Sequence, residues 1–110
     1  MASGSLGEFE QLVLLAILQL GDGVYGVPIV SEIERRTGRR IARAAVYVTL
    51  RRLEKKGLVR SWMGEPTEER GGKARRLVAV EPEGRRLLRE ARRTMDAMWK
   101  GLDPVPGETP

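Results

Sequence analysis

Hydrophobic and polar positions follow a helical period over four stretches of this chain, interrupted once by two short runs that read as strands. In the first stretch, Phe9, Leu12, Val13, Ala16, Ile17 and Leu20 fall at i, i+3, i+4, i+7, i+8 and i+11, predicting an amphipathic helix over 8–20. Glu8 and Glu10 stand in its first turn, where negative charge is favoured. Leu14, Leu15 and Leu18 make the opposite side apolar as well. A helix apolar all round needs cover on both sides, so the second face is expected to meet another protomer.

Tyr25, Ile29 and Ile33, with Val30 beside them, predict a second helix over 25–37, with Pro28 in its first turn and Gly38 as its cap. A tight turn then leads to the stretch around which the chain is organised, 42–60. There Val46, Leu50 and Leu53 form one apolar stripe. Ala44, Val48, Arg51 and Lys55 lie roughly opposite, flanked by Tyr47 and Arg52. Gly57, just after Lys55 and Lys56, suits a helix C-terminus. Two short helices joined this closely make a helix-turn-helix.

The runs 58–63 and 76–80 read as a strand pair around the loop 64–75. That loop is acidic in its first half (Glu65, Glu68, Glu69) and basic in its second (Arg70, Lys73, Arg75). A hairpin in this position is a wing, and its basic side is suited to a sugar-phosphate backbone. Finally, Gly84, Leu88, Ala91, Met95, Met98 and Leu102 are spaced 4, 3, 4, 3, 4 after Pro82, a heptad seam that Leu87 and Trp99 widen. Little of the domain remains to cover such a helix, so it is expected to pair with its symmetry mate and with the Leu14/Leu18 face. The predicted fold is mainly α with a small β-hairpin: a winged helix-turn-helix over 6–80, a C-terminal dimerisation helix over 81–102, and disordered ends at 1–5 and 103–110.

Composition narrows the chemistry. The 110 residues include neither cysteine nor histidine, which removes thiolate and imidazole catalysis, disulfides and the usual zinc sites. No close pair of carboxylates stands in an apolar setting. The chain is not expected to be an enzyme, and no metal or cofactor is expected. Net charge is +5, but residues 35–60 alone carry ten Lys or Arg against Glu54, leaving −4 for everything else. A basic block inside a slightly acidic chain is a footprint for a polyanion. Without a long apolar run, the chain is expected to be cytoplasmic and away from membranes.

One motif is set aside. GDGVYG (21–26) matches the GxGxxG pattern of dinucleotide sites, but a helix rather than a strand precedes it, so it reads as a turn.

Read together, these features predict binding to double-stranded DNA. Small Ala44 and Val48 allow close approach to base edges, and arginines reach guanine or phosphate. Arg43 and Arg51 are the expected base readers. Tyr47, Lys55, Lys73 and Arg75 are expected on phosphate, with Arg52 and Arg70 adding to the contact. The expected dimer interface is Leu14, Leu18, Leu88, Ala91, Met95, Met98, Trp99 and Leu102. Within it Leu14, Met95, Met98 and Trp99 either line a cavity for a flat aromatic ligand or form plain dimer core. A competing reading is a winged-helix protein-interaction module with an acidic partner; salt-insensitive binding would distinguish it.

The segments LGEFEQLVLLAILQLGDGVYG, AVYVTLRRLEKKGLVRSW, ERGGKARR and EPEGRRLL together resemble the PadR-like transcriptional regulators, in their short form with one C-terminal helix. The resemblance runs from about Leu6 to Leu102. It implies a homodimeric, mostly repressing regulator of a neighbouring gene, in some members relieved by a phenolic or other aromatic small molecule. By position, Tyr47 matches the recognition-helix tyrosine and residues 73–76 the basic wing. Ala42 departs from the usual capping serine, a loss worth about 0.5–2 kcal/mol. Leu77-Val78 replaces the usual wing tyrosines, and Glu81 the usual threonine.

Overall fold

In a computed structural model, residues 5–66, 74–102 and 104–108 are described. The element order is α1 (Glu8–Leu20), α2 (Gly26–Thr37), α3 (Arg43–Lys55), β1 (Val59–Met63), β2 (Arg76–Val80) and α4 (Pro82–Trp99). Helices α1, α2 and α3 pack around one core that β1, β2 and the first half of α4 close. The fold is therefore mainly α with one small hairpin, as the periodicity implies.

The two strands pair antiparallel, Val59 opposite Val80 and Met63 opposite Arg76. A third short segment joins them. Val24 bridges Val78, with the Gly23 N–H donating to the Val78 carbonyl at 2.9 Å and the Val78 N–H to the Val24 carbonyl at 2.8 Å. The GDGVYG segment is thus a turn, and it also anchors the hairpin. At the end of α3, Gly57 takes a left-handed φ of 78°, and the Leu58 N–H reaches back to the Leu53 carbonyl at 2.9 Å. This closure aims the chain from α3 directly into β1.

The structure corrects the reading of α1. Its buried residues are Glu10, Val13, Leu14, Ala16 and Ile17, with Phe9 and Leu12 half-buried against the core, while Leu20 is exposed. Leu14 is 0% exposed within a single protomer, so it contributes neither to a dimer surface nor to a ligand cavity. The outer apolar face is carried by Leu15 and Leu18, both exposed. The buried face is wider than expected, with Glu10 and Leu14 added to it. The Glu10 carboxylate accepts from the Gly7 N–H at 3.0 Å and pairs with Lys56 Nζ at 3.1 Å, which satisfies a charge that would otherwise stay outside.

Helix α4 divides into two parts. Gly84, Leu87 and Leu88 are buried in the core, and a Cβ on Gly84 would stand 2.6 Å from the Leu58 carbonyl oxygen. Leu88, expected at the dimer interface, is thus mostly spent within its own protomer. Beyond Ala91 every residue of α4 is exposed: Met95 is 53% exposed, Met98 70% and Trp99 48%. The helix stops at Trp99, so Leu102 lies just past it, after a left-handed Gly101.

The described parts of the two ends hold no helix or strand; residues 104–108 carry a turn closed by the Glu108 N–H on the Val105 carbonyl at 3.3 Å. Among the described residues no helix is long and apolar enough to cross a membrane.

Candidate nucleic-acid interface

Helix α3 turns Val46, Thr49, Leu50 and Leu53 inward and leaves Arg43, Ala44, Tyr47, Val48, Arg51, Arg52 and Lys55 exposed. These are the α3 residues expected at a DNA surface, and the structure brings them onto one face. Its entry is open. Ala42 occupies the N-cap position and makes no side-chain capping bond. A shallow depression bounded by Val48, Arg51, Arg52, Glu54 and Lys55 runs along the outer side.

The fate of the ten cations in 35–60 separates this face from the rest of that block. Glu32 pairs with Arg35 at 2.8 Å and with Arg36. Arg39 makes a two-point contact with Glu8 at 2.9 and 3.2 Å, and this partner holds the Glu8 carboxyl below its ordinary range. Lys56 is held by Glu10 and Arg60 by Glu81, both at 3.1 Å. Half the block is therefore neutralised. Among the described residues Arg40, Arg43, Arg51, Arg52 and Lys55 have no ion-pair partner, and all five lie on α3 or in the turn entering it. Unpaired guanidiniums in solvent are the groups that release counterions when they meet phosphate.

Tyr47 sits where α3 crosses the start of α2. A Cβ on Gly26 would lie 2.4 Å from its ring, so the glycine allows the ring to rest on the α2 backbone. Arg75 is half-buried, and its guanidinium lies 3.8 Å from the centre of the Tyr25 ring, a cation–π contact inside the protomer. Arg70 and Lys73 lie outside the described residues.

Between the hairpin and α3, the Ser61 hydroxyl donates to the Glu54 carboxylate, its Oγ 2.9 and 3.0 Å from the two oxygens, and accepts from Arg76 Nη1 at 2.8 Å. Nothing in the sequence pattern marks this cluster, since its members come from three elements.

A second depression, an open groove of about 530 Å³, runs between α1 and α4. Leu15, Leu18, Leu88, Ala91 and Met95 give it an apolar floor, with Arg85, Arg89 and Arg92 at its edges. Of the four residues expected at a ligand cavity between protomers, Met95 borders this groove and Leu14 is buried beneath it, while Met98 and Trp99 are exposed further along α4.

The family model for the transcriptional regulator PadR-like family matches residues 14–90, well over half of the chain. The chain belongs to the PadR-like family. Its members are regulators of transcription, not enzymes. Similar solved structures include a PadR family regulator from Eggerthella lenta, at 28% identity and TM-score 0.69, with 93% of this chain and 88% of that one covered. A transcriptional regulator from Clostridium thermocellum shares the fold at 24% identity and TM-score 0.70, covering 88% and 91%. So does a PadR-like regulator from Bacillus cereus, at 17% and 0.71, covering 92% and 93%. No curated protein matches the chain.

Proposed function

We propose that this PadR-like regulator acts in the cytoplasm as a homodimeric repressor, inserting α3 of each protomer into successive major grooves of a palindromic operator. The observation that carries this reading is that, of the ten cations in 35–60, the five without an ion-pair partner among the described residues all lie on α3 and its entry turn. Arg43 and Arg51 read base edges, and exposed Val48 and Ala44 pack against thymine methyl groups. Arg52, Lys55 and the hydroxyl of Tyr47 hold phosphates, and the wing tip with Arg70 and Lys73 follows the backbone. Arg75 contributes through Tyr25 rather than through phosphate.

The dimer is supported by the uncovered apolar stripe of Leu15, Leu18, Ala91, Met95, Met98, Trp99 and Leu102. Residues 6–80 form the DNA-binding unit and 81–102 the dimerisation helix, which shares its first two turns with that unit. The two-fold axis sets half-site centres about 34 Å apart or a multiple of it. The α1–α4 groove is the site we assign to a small aromatic effector, because a molecule wedged there changes the spacing of the two α3 helices. Occupying a promoter excludes polymerase, which makes repression the natural sign.

The test is selection of duplexes from a random library, followed by titration of the selected duplex and a scrambled one at two salt concentrations. Selective binding that weakens steeply with salt is expected. Arg51→Ala should lose about 1–3 kcal/mol of discrimination at one base position per half-site. Equal, weak binding to both duplexes would refute the reading and favour an acidic protein partner.

A further inference from the structure

The wing of this protein is a two-stranded hairpin, and such a hairpin has little stability of its own. Its angle to α3 therefore depends on ties to the rest of the domain. Its inner end is held by the burial of Val59, Val78 and Val80 in the core, and one further tie is the Val24–Val78 bridge near the middle of β2. The others lie at the outer end of the hairpin, where β2 begins. Arg76 and Arg75, adjacent in sequence, both turn back toward the domain: Arg76 through Ser61 to Glu54 on α3, and Arg75 onto Tyr25 at the N-cap of α2.

Glu54 is the odd member of this arrangement. It is the only acidic residue in 35–60, it lies on α3, and it borders the depression running along the exposed basic face. As a charge alone it opposes a polyanion. Its carboxylate, however, is anchored by the Ser61 hydroxyl, whose oxygen in turn accepts from Arg76. The result is an ion pair bridged by a hydroxyl, linking α3, β1 and β2 by charge-assisted hydrogen bonds.

We propose that Glu54, Ser61 and Arg76 form a latch that fixes the wing against the recognition helix, making Glu54 a positioning residue for DNA selectivity rather than a base reader. The proposal rests on the DNA-binding reading above. A latch and a bare charge predict opposite signs. Removing a carboxylate from a DNA-facing surface by charge alone tightens binding to every duplex. Removing the latch loosens the wing and weakens binding to the selected duplex, while the scrambled duplex gains.

The experiment compares the full-length parent with Glu54→Ala, Glu54→Gln, Ser61→Ala and the Glu54→Ala/Ser61→Ala double variant. Affinities for the selected and scrambled duplexes are read at two salt concentrations, and backbone amide relaxation of β1 and β2 is read in the DNA-free protein. Glu54→Ala and Ser61→Ala should each weaken binding to the selected duplex about five- to tenfold. The double variant should be no worse than either, since both cut one network. Glu54→Gln retains an oxygen for the Ser61 hydroxyl and should recover most of the selectivity, which a charge effect would not allow. In the DNA-free protein the wing amides should become more mobile in both alanine variants, with melting temperatures within a few degrees of the parent.

Tighter binding of Glu54→Ala to both duplexes, or unchanged wing relaxation, would overturn the latch. Failure of the parent to select any duplex would refute the DNA-binding reading instead, and the relaxation comparison would still decide the latch.

Discussion

Helices α3 and α4 both present a long face that their own protomer leaves uncovered, and the two faces differ in what accompanies their arginines. On α4, Arg86 is held by Glu83 at 2.7 Å and Glu90 at 3.1 Å, and Arg92 lies 3.7 Å from Asp96, while Arg85, Arg89 and Arg93 have no ion-pair partner among the described residues. Beyond Ala91 the same helix exposes the apolar seam of Met95, Met98 and Trp99. On α3, Val46, Leu50 and Leu53 go inward, and Arg43, Arg51, Arg52 and Lys55 have no ion-pair partner among the described residues. Arginine is abundant and partly unpaired on both helices, so neither its presence nor its pairing alone tells a nucleic-acid surface from a protein surface. The long apolar seam beside the arginines of α4, which α3 lacks, does.

The comparison breaks most decisively at the seam. Met95→Glu with Met98→Glu should weaken self-association at least about 100-fold, since burying each methionine is worth about 1.5–3 kcal/mol. Sedimentation equilibrium measures this directly. Affinity for the selected duplex should fall with it, because half-sites read separately lose their shared binding energy. A parent chain that sediments as a monomer would show that the α4 seam serves some other purpose.

The fold was legible because the helices obey their period. The bounds of α1 and of both strand-forming runs follow from residue type and spacing, and Gly38 and Gly57 mark helix ends by the left-handed backbone each adopts. The α3 face was legible for the same reason. What could not be read was pairing across elements. Glu10 is marked in the sequence only by its first-turn position, and its buried pairing with Lys56, 46 positions away, shows only in the fold. Leu14, expected at an interface, lies in the core, and the contact of Arg75 with the Tyr25 ring has no signal in the spacing. A helical wheel sorts residues by direction but has no knowledge of what each will meet.

Adjacent lysines sharpen the comparison at a smaller scale. Lys55 has no partner among the described residues and Lys56 is paired with Glu10. Lys55→Gln should lower the slope of log affinity against log salt by about 1, and Lys56→Gln should leave that slope unchanged. Equal slopes for the two variants would mean that ion pairing in the free protein does not predict which cations meet phosphate.

The smallest expected effect concerns the partner of Lys56. Burial pushes the Glu10 carboxyl up, but the Gly7 N–H and Lys56 together outweigh it, so its folded pKa lies below the ordinary value. A depressed carboxyl contributes stability that is fully present above its unfolded pKa, near 4.3, and lost as pH falls through its folded value. Glu10→Gln removes the charge yet keeps an oxygen for the Gly7 N–H. It should cost about 1 kcal/mol at neutral pH, and the gap to the parent should close below about pH 4. Chemical denaturation across pH 3–7 reads both quantities. A gap constant with pH would place the contribution of Glu10 in packing and the backbone bond to Gly7, and the Lys56 pair would then add nothing.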